Sequence, residues 1–303
     1  MNHAGLKKKA LLADFGLLLC ALFWGLGFVS MKRLVSLYTP CWLLFLRFGP
    51  GAILLFLVFP RRILTNWRRN LTAGVIIGGI LFAAMGLQTA ALNFIGAGRQ
   101  AFITATYVLL VPLLFWLFRR VFPGWTTLGA AGLCLLGMGL LADPSGPLNT
   151  GDVLTFLCAV LFAVQIIAIS HYTRVTEKEG QPGCDPIAIS FIEFVTLTLL
   201  CLAAGLLFEG PLHLQSEGLP DLAFTIVFCT FGSYALQVCS QRYSPPSHAA
   251  IIMSLEAVFG LLSGILLLGE TLTLRAAAGC FLILASVLIA ELEPYLKKIR
   301  NNT

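Results

Sequence analysis

Ten apolar runs of roughly 20 residues occupy almost the whole chain, at 11–30, 40–59, 71–92, 99–118, 125–141, 152–171, 186–207, 220–239, 247–268 and 273–290. A run of about that length is what an α-helix needs to cross a hydrocarbon core about 30 Å thick. In lipid, only helices and closed barrels satisfy their own backbone groups. No linker between the runs is long enough for a folded domain, so the function must reside within the bilayer. Composition agrees: 58% of residues are hydrophobic and 11% charged, against roughly 25% charged in soluble domains. The expectation is an all-α integral membrane protein with ten transmembrane helices.

Lysine and arginine set the orientation. With the N-terminus in the cytoplasm, fifteen of the 20 fall on inner segments and four (Lys32, Arg33, Arg99, Arg275) on outer ones, leaving Arg47 inside a span. Both termini are then cytoplasmic, in a bacterial inner membrane. The net charge of +6 reports topology and anionic lipid rather than nucleic acid. "KKKALLADFGLLLC" resembles a signal peptide, but Asp14 interrupts its apolar part and no small-x-small cleavage site follows, so it reads as a retained first helix. The nine cysteines are scattered singly through apolar runs and read as small buried hydrophobes.

The sequence is written twice. "ADFGLLLCALFWG" (13–25) aligns with "GDVLTFLCAVLFA" (151–163), matching Asp14 to Asp152. Pro40 and Arg47 align with Pro186 and Glu193, and "LQTAALNFIGAGRQAFITATY" (87–107) aligns with "LQVCSQRYSPPSHAAIIMSLE" (236–256). The units are 11–141 and 151–290. Five helices per unit is an odd number, so the second unit enters the membrane from the opposite side, the inverted-repeat plan of many secondary transporters. Arg47 and Glu193 are repeat mates, each about 10 Å in from its own face. At different depths, they should find separate partners rather than each other.

These stretches carry a family resemblance. "ALFWGLGFVSMK", the arginine of "FLRF", "YVLLVPLLFWL" and "SLEAVFGLLSGILLLGETLT" make residues 11–290 similar to EamA-type transporters of the drug/metabolite transporter superfamily. The resemblance implies two inverted five-helix repeats and a secondary transporter, often an exporter of amino acids or other small metabolites. The first repeat departs from the pattern after its fourth helix, with "FRRVFPG" where the second has "LLGETLT".

Ionisable residues inside a membrane are costly and mark functional candidates. Glu256 falls about 14 Å in from the inner face, near the midplane, where a carboxyl can bind a substrate amine or exchange a proton. Its repeat mate is Tyr107, beside a partly polar face with Gln100 and Thr104. A helix–helix hydrogen bond is the alternative for Glu256. Arg47 suits a substrate carboxylate or a gate, and equally a scaffold role of capping free carbonyls; Glu193 is its anionic counterpart. Trp24 and Gln165 lie near the midplane, and the tryptophan can stack on a flat substrate. Gln88 and Gln237 are expected in packing hydrogen bonds, and Arg99 and His248 as interfacial anchors. Asp14, Asp152 and Glu270 are expected to cap helix starts, and Pro50 and Pro112 to weaken their helices.

Four dispersed histidines make no H-E-x-x-H, and the chain has no G-x-S-x-G, no phosphate loop and no paired membrane aspartates, which disfavours an integral-membrane enzyme. A single intramembrane cation argues against carriers of phosphorylated sugars. A channel or facilitator is the main rival. The expected reading is an alternating-access carrier of a small-molecule substrate, with protons as the candidate coupling ion, no cofactor or metal, and the lipid bilayer as its environment. Its substrate-binding candidates are Glu256, Tyr107, Trp24, Gln165, Thr104, Arg47 and Glu193.

Overall fold

The computed structural model describes residues 3–91, 93–142, 147–173, 183–269 and 271–300. Within them the chain is helical throughout, with nine helices long and apolar enough to cross a membrane and a shorter apolar helix at Trp125–Leu141. The elements are α1 (His3–Leu37), α2 (Pro40–Val58), α3 (Pro60–Ala91), α4 (Ala97–Ala105), α5 (Tyr107–Arg119), α6 (Trp125–Ala142) and α7 (Thr150–Thr173). They continue with α8 (Pro186–Phe208), α9 (Leu219–Phe224), a π-helical turn (Thr225–Gly232), α10 (Ser233–Gln241), α11 (Pro246–Met253), α12 (Glu256–Leu268) and α13 (Leu274–Arg300).

Local chemistry sets the starts. Pro40 and Pro186 open α2 and α8, where a missing N–H costs nothing and φ is already helical. Asp185 caps α8 by accepting from Ile187 N and Ala188 N. The matching N-terminus of α2 is capped from a distance, since Glu209, just past α8, accepts from Cys41 N, Trp42 N and the Thr39 hydroxyl.

The expected cap at Asp14 is corrected. Asp14 lies well inside α1, which begins at His3. Asp152 behaves as expected: in the first turn of α7 its Oδ2 accepts from Asn149 N at 2.7 Å, while Asn149 Oδ1 accepts from Gly151 N and Asp152 N, a reciprocal cap. Glu270 lies outside the described residues. α2 runs unbroken through Pro50 and α5 through Pro112.

Three spans are irregular elsewhere. The fourth apolar run is interrupted at Thr106 and the ninth at Ser254–Leu255. Thr106 Oγ1 donates to Ile103 O at 2.7 Å and Ser254 Oγ to Ile251 O at 2.5 Å. Beside them, Thr106 N and Leu255 N bond to carbonyls three residues back. Both breaks therefore use side-chain back-bonding and one tight turn. They occupy equivalent places in the two repeats. The eighth run carries the π turn, in which the Ser233 hydroxyl donates to Phe228 O.

The repeats interlock. α3 packs along α7 as α10 does along α1, and α5 packs along α7 as α12 does along α1, each the same contact with the repeats exchanged. α2 meets α8 and α6 meets α13, each pairing equivalent helices. Gly137 and Gly279 let α6 and α13 touch by backbone, since a Cβ on either would come within 2.7 Å of the other's carbonyl oxygen. The outer surface is apolar, with Leu207, Phe208, Phe281 and Leu288 exposed, which suits lipid contact. The fold is all-α and membrane-spanning, in two inverted five-helix repeats. Five of the nine cysteines are buried and all nine are unbridged.

Candidate functional site

Polar residues collect where the interrupted spans meet. Glu256 is the first residue of α12, and its repeat mate Tyr107 is the first residue of α5. Each therefore stands at the N-terminus of a half-helix in mid-span, the place where interrupted carrier helices present their ends. Glu256 keeps accessible surface although Ser254 and Leu255 beside it are buried. Its carboxylate has no recorded hydrogen-bond or ion-pair partner among the described residues. It lies within electrostatic range of Tyr107, Cys20 and Tyr234. α1 is pressed against this point at Gly25, and Ser263 Oγ donates to Gly25 O at 3.2 Å.

A second group surrounds Tyr234, which is 3% exposed. Its ring is edge-on to Trp24 with centroids 5.3 Å apart, and packs at 5.5 Å on Phe48 and 5.8 Å on Phe194. Phe48 and Phe194 follow Arg47 and Glu193, so the aromatic cluster is flanked by a cation and a carboxyl. Tyr234 is within electrostatic range of both, and of Glu256. Trp24 is fixed by its indole N–H, which donates to Cys229 O at 2.9 Å inside the π turn. A π turn rotates the chain by an extra residue and is common at functional sites. Here it presents Cys229 O to Trp24 and Thr230 to Arg47.

Arg47 is 5% exposed and makes two weak contacts, from Nη2 to Thr230 Oγ1 at 3.4 Å and from Nη1 to Met31 Sδ at 3.2 Å. Its Nε has no partner. The carbonyl-capping alternative finds no such bond among the recorded contacts of Arg47. Glu193 is fully buried and accepts from Gln165 Nε2 at 2.7 Å, while its second oxygen has no partner. Among the described residues Arg47 and Glu193 form no ion pair with each other, as separate depths require. Thr104, one turn before Tyr107, is buried with an unpartnered hydroxyl. Buried polar atoms normally find partners, so Arg47, Thr104 and Glu193 hold unused hydrogen-bonding capacity.

The structure thus gathers Trp24, Arg47, Gln165 and Glu193 about Tyr234, and sets Glu256 and Tyr107 at the two helix breaks. Tyr234, Thr230 and the π turn were missed by the sequence reading, because TIVFCTFGSYAL carries no charge and reads as an ordinary apolar span. Gln88 behaves as expected only through its backbone, whose carbonyl accepts from Gln100 Nε2. The packing expectation fails for Gln237, whose buried side-chain oxygen has no partner.

Arg99 and His248 are not simple interfacial anchors. Arg99 donates to both oxygens of Asp152, at 2.6 and 2.7 Å. His248 Nε2 lies 3.4 Å from Asp14 Oδ1 and 3.2 Å from Glu291 Oε1. Asp14, His248 and Glu291 are the one set of described residues whose ligand atoms cluster closely enough to hold a metal ion.

The EamA-like transporter family profile matches residues 11–142 and 149–292, one copy for each half. An uncharacterized transporter of Archaeoglobus fulgidus is 34% identical over 286 residues, covering 94% of this chain and 87% of the relative. A second uncharacterized transporter of that organism is 23% identical over 282 residues, covering 90% of this chain and 96% of the relative. A protein of known crystal structure superposes with a TM-score of 0.77 at 15% identity, over 92% of this chain and 96% of that one. With the profile matched in both halves and a relative this similar over nearly the full length, the chain belongs to the EamA-like transporter family.

Proposed function

We propose that this membrane transporter is a secondary carrier that exports a small metabolite, an amino acid or related compound, by alternating access. In this reading it sits in a bacterial inner membrane with both termini in the cytoplasm. The observation that carries the proposal is the pair of half-helices that begin, in mid-span, with an unpartnered carboxylate at Glu256 and a phenol at Tyr107. Interrupted helices at a repeat interface are where secondary carriers bind substrate and coupling ion.

Glu256 takes the substrate amine or exchanges a proton, with Tyr107 and Thr104 supplying hydrogen bonds from the other repeat. Arg47, held by only weak contacts, is available to a substrate carboxylate. Trp24 offers a ring face, and Gln165 holds Glu193 in place. A carboxylate and a guanidinium on either side of an aromatic cluster match a zwitterion better than a polyanion.

Counterflow in proteoliposomes tests the carrier reading, because a carrier loaded with unlabelled substrate transiently accumulates external label above its outside concentration, whereas a pore lets the label only equilibrate. Candidate substrates come from metabolite profiling of medium and cytoplasm with and without overexpression. Glu256→Gln, normalised to folded protein, should raise the transport KM if the residue binds an amine. It should instead flatten the pH dependence of net flux and spare exchange if it carries a proton. Unchanged KM and an unchanged pH profile would remove Glu256 from the site.

A further inference from the structure

Two charged clusters outside the polar centre are related by the repeat itself. Arg99 and His248 are equivalent residues, 149 positions apart, in the alignment that pairs Tyr107 with Glu256. Asp14 and Asp152 are equivalent residues of the first helix of each repeat. In the structure Arg99 pairs with Asp152, and His248 with Asp14. Each repeat therefore offers its basic residue to the other repeat's aspartate. The two contacts are one interaction made twice, and the inverted topology places them at opposite faces of the membrane.

Position gives these contacts leverage. Arg99 stands in the first turn of α4 and His248 in the first turn of α11, helices of only 9 and 8 residues. Each short helix ends at the break that precedes Tyr107 or Glu256. A movement at either central residue is thus carried along a short rigid segment to one charged contact. Whereas Glu291 in the His248 cluster is 38% exposed, the Arg99–Asp152 contact is also sheltered, with side chains 13% and 5% exposed. Pairs so shielded from water cost much more to break by losing one partner than exposed pairs do.

The two clusters differ in strength. Arg99 grips both oxygens of Asp152 and also donates to Pro147 O at 3.0 Å, the directional bidentate arrangement. His248 offers one nitrogen at 3.2–3.4 Å to two carboxylates on α1 and α13. The second carboxylate, Glu291, falls where the first repeat has Ala142.

We propose that Arg99–Asp152 and Asp14–His248–Glu291 are the two gate latches of the carrier, released one at a time to give its two facing states. Release of the Arg99 latch opens the outer side, and release of the His248 latch opens the cytoplasmic side. The bidentate Arg99 latch is the firmer, so the resting protein favours closure on the outside. This assignment rests on the alternating-access reading, but its test needs no substrate.

The test is hydrogen–deuterium exchange with mass spectrometry on the full chain in lipid nanodiscs. Asp152→Asn should speed exchange in α4 and the start of α7 by about tenfold, a typical coupling magnitude. It should also slow exchange in α11 and the first half of α1. Asp14→Asn should do the reverse. His248→Arg, which installs the stronger partner, should protect α11 and loosen α4, and it serves as the second variant if an aspartate variant folds poorly. Exchange that rises only around each substituted residue, with no opposite change at the other face, would make these pairs static braces and overturn the proposal. Added Zn2+ that protects α11 with no effect on α4 would reassign the His248 cluster as an isolated metal site and also overturn it. Reciprocal exchange in a protein that shows no counterflow would keep the latches and defeat the carrier reading; counterflow without reciprocal exchange would do the opposite.

Discussion

Phe48 and Phe194 meet edge to face with ring centroids 5.2 Å apart. They hold the same place in the two repeats, each directly after an ionisable residue, so the contact brings equivalent residues together. Their neighbours Arg47 and Glu193 are carried on either side of it and held by different partners, Thr230 and Met31 for the arginine and Gln165 for the glutamate. One slot in the repeat thus serves two purposes. Its aromatic half builds the contact between the repeats, and its charged half is free to differ.

Exchanging the two charges should therefore fail as a rescue. Arg47→Glu with Glu193→Arg is expected to be at least as impaired as the worse single variant. The coupling between the sites in a double-mutant cycle of thermal stability should stay within about 0.5 kcal/mol. Strong rescue would mean that the two side chains contact each other during the cycle.

Gly25 sets how closely α1 approaches the start of α12. A Cβ there would lie 2.4 Å from Phe259 Cβ, 2.7 Å from Glu256 O and 2.8 Å from Gly260 N. Backbone atoms cannot swing aside as a side-chain tip can. Gly25→Ala should cost about 1–3 kcal/mol as overpacking and shift Glu256, lowering flux per folded molecule. Gly79→Ala, where nothing lies within 4 Å, is the control and should be close to neutral.

Arg120 ends α5 at φ 55°, and its repeat mate Gly269 ends α12 at φ 68°. The left-handed conformation suits glycine and costs other L-residues roughly 1–2 kcal/mol. Arg120→Gly should therefore raise stability by about 1 kcal/mol, reduced by the lost attraction of a cation for the helix C-terminus. Melting of purified protein in detergent, with Arg120→Ala as the unfavourable comparison, measures it.

The cap on α2 should be lost in acid. Burial alone would raise the Glu209 carboxyl, but hydrogen bonds from Thr39, Cys41 and Trp42 outweigh it and hold the group below its ordinary value. A carboxyl lowered on folding stabilises the protein fully above its unfolded pKa of about 4.3, and that stability disappears as pH falls through the folded value. Glu209→Gln should melt at a lower temperature than wild type at neutral pH, by about 1 kcal/mol of capping energy. The gap should close at pH values below the folded carboxyl's range, as seen in melting temperatures recorded against pH.

Much of the architecture was legible in the chain. Length and apolarity of a run decide whether it spans a bilayer, and both are local properties. The repeat was visible because equivalent helices keep equivalent residues, from Asp14 and Asp152 to Tyr107 and Glu256. Glu256, Arg47 and Glu193 stood out because charge in lipid is costly enough to be rare. A family profile matching 11–142 and 149–292 accords with this reading.

Tertiary structure decided the rest. Hydropathy is the same for a straight helix and a broken one, so the interruptions at Thr106 and Ser254–Leu255 and the π turn at Thr225–Gly232 left no mark in it. Asp14 looked like a cap because a carboxylate near the start of an apolar run is locally at home there, as Asp152 is at the start of α7. Their partners, His248 and Arg99, come from the opposite repeat. Tyr234 likewise owes its place to Trp24, Phe48 and Phe194, which lie 40 to 210 positions away in the chain. Sequence alone determined what must be buried in the bilayer and how many times the chain crosses it. Which buried group faces which was settled only when the two inverted repeats closed on each other, because those pairings join residues that share no local pattern.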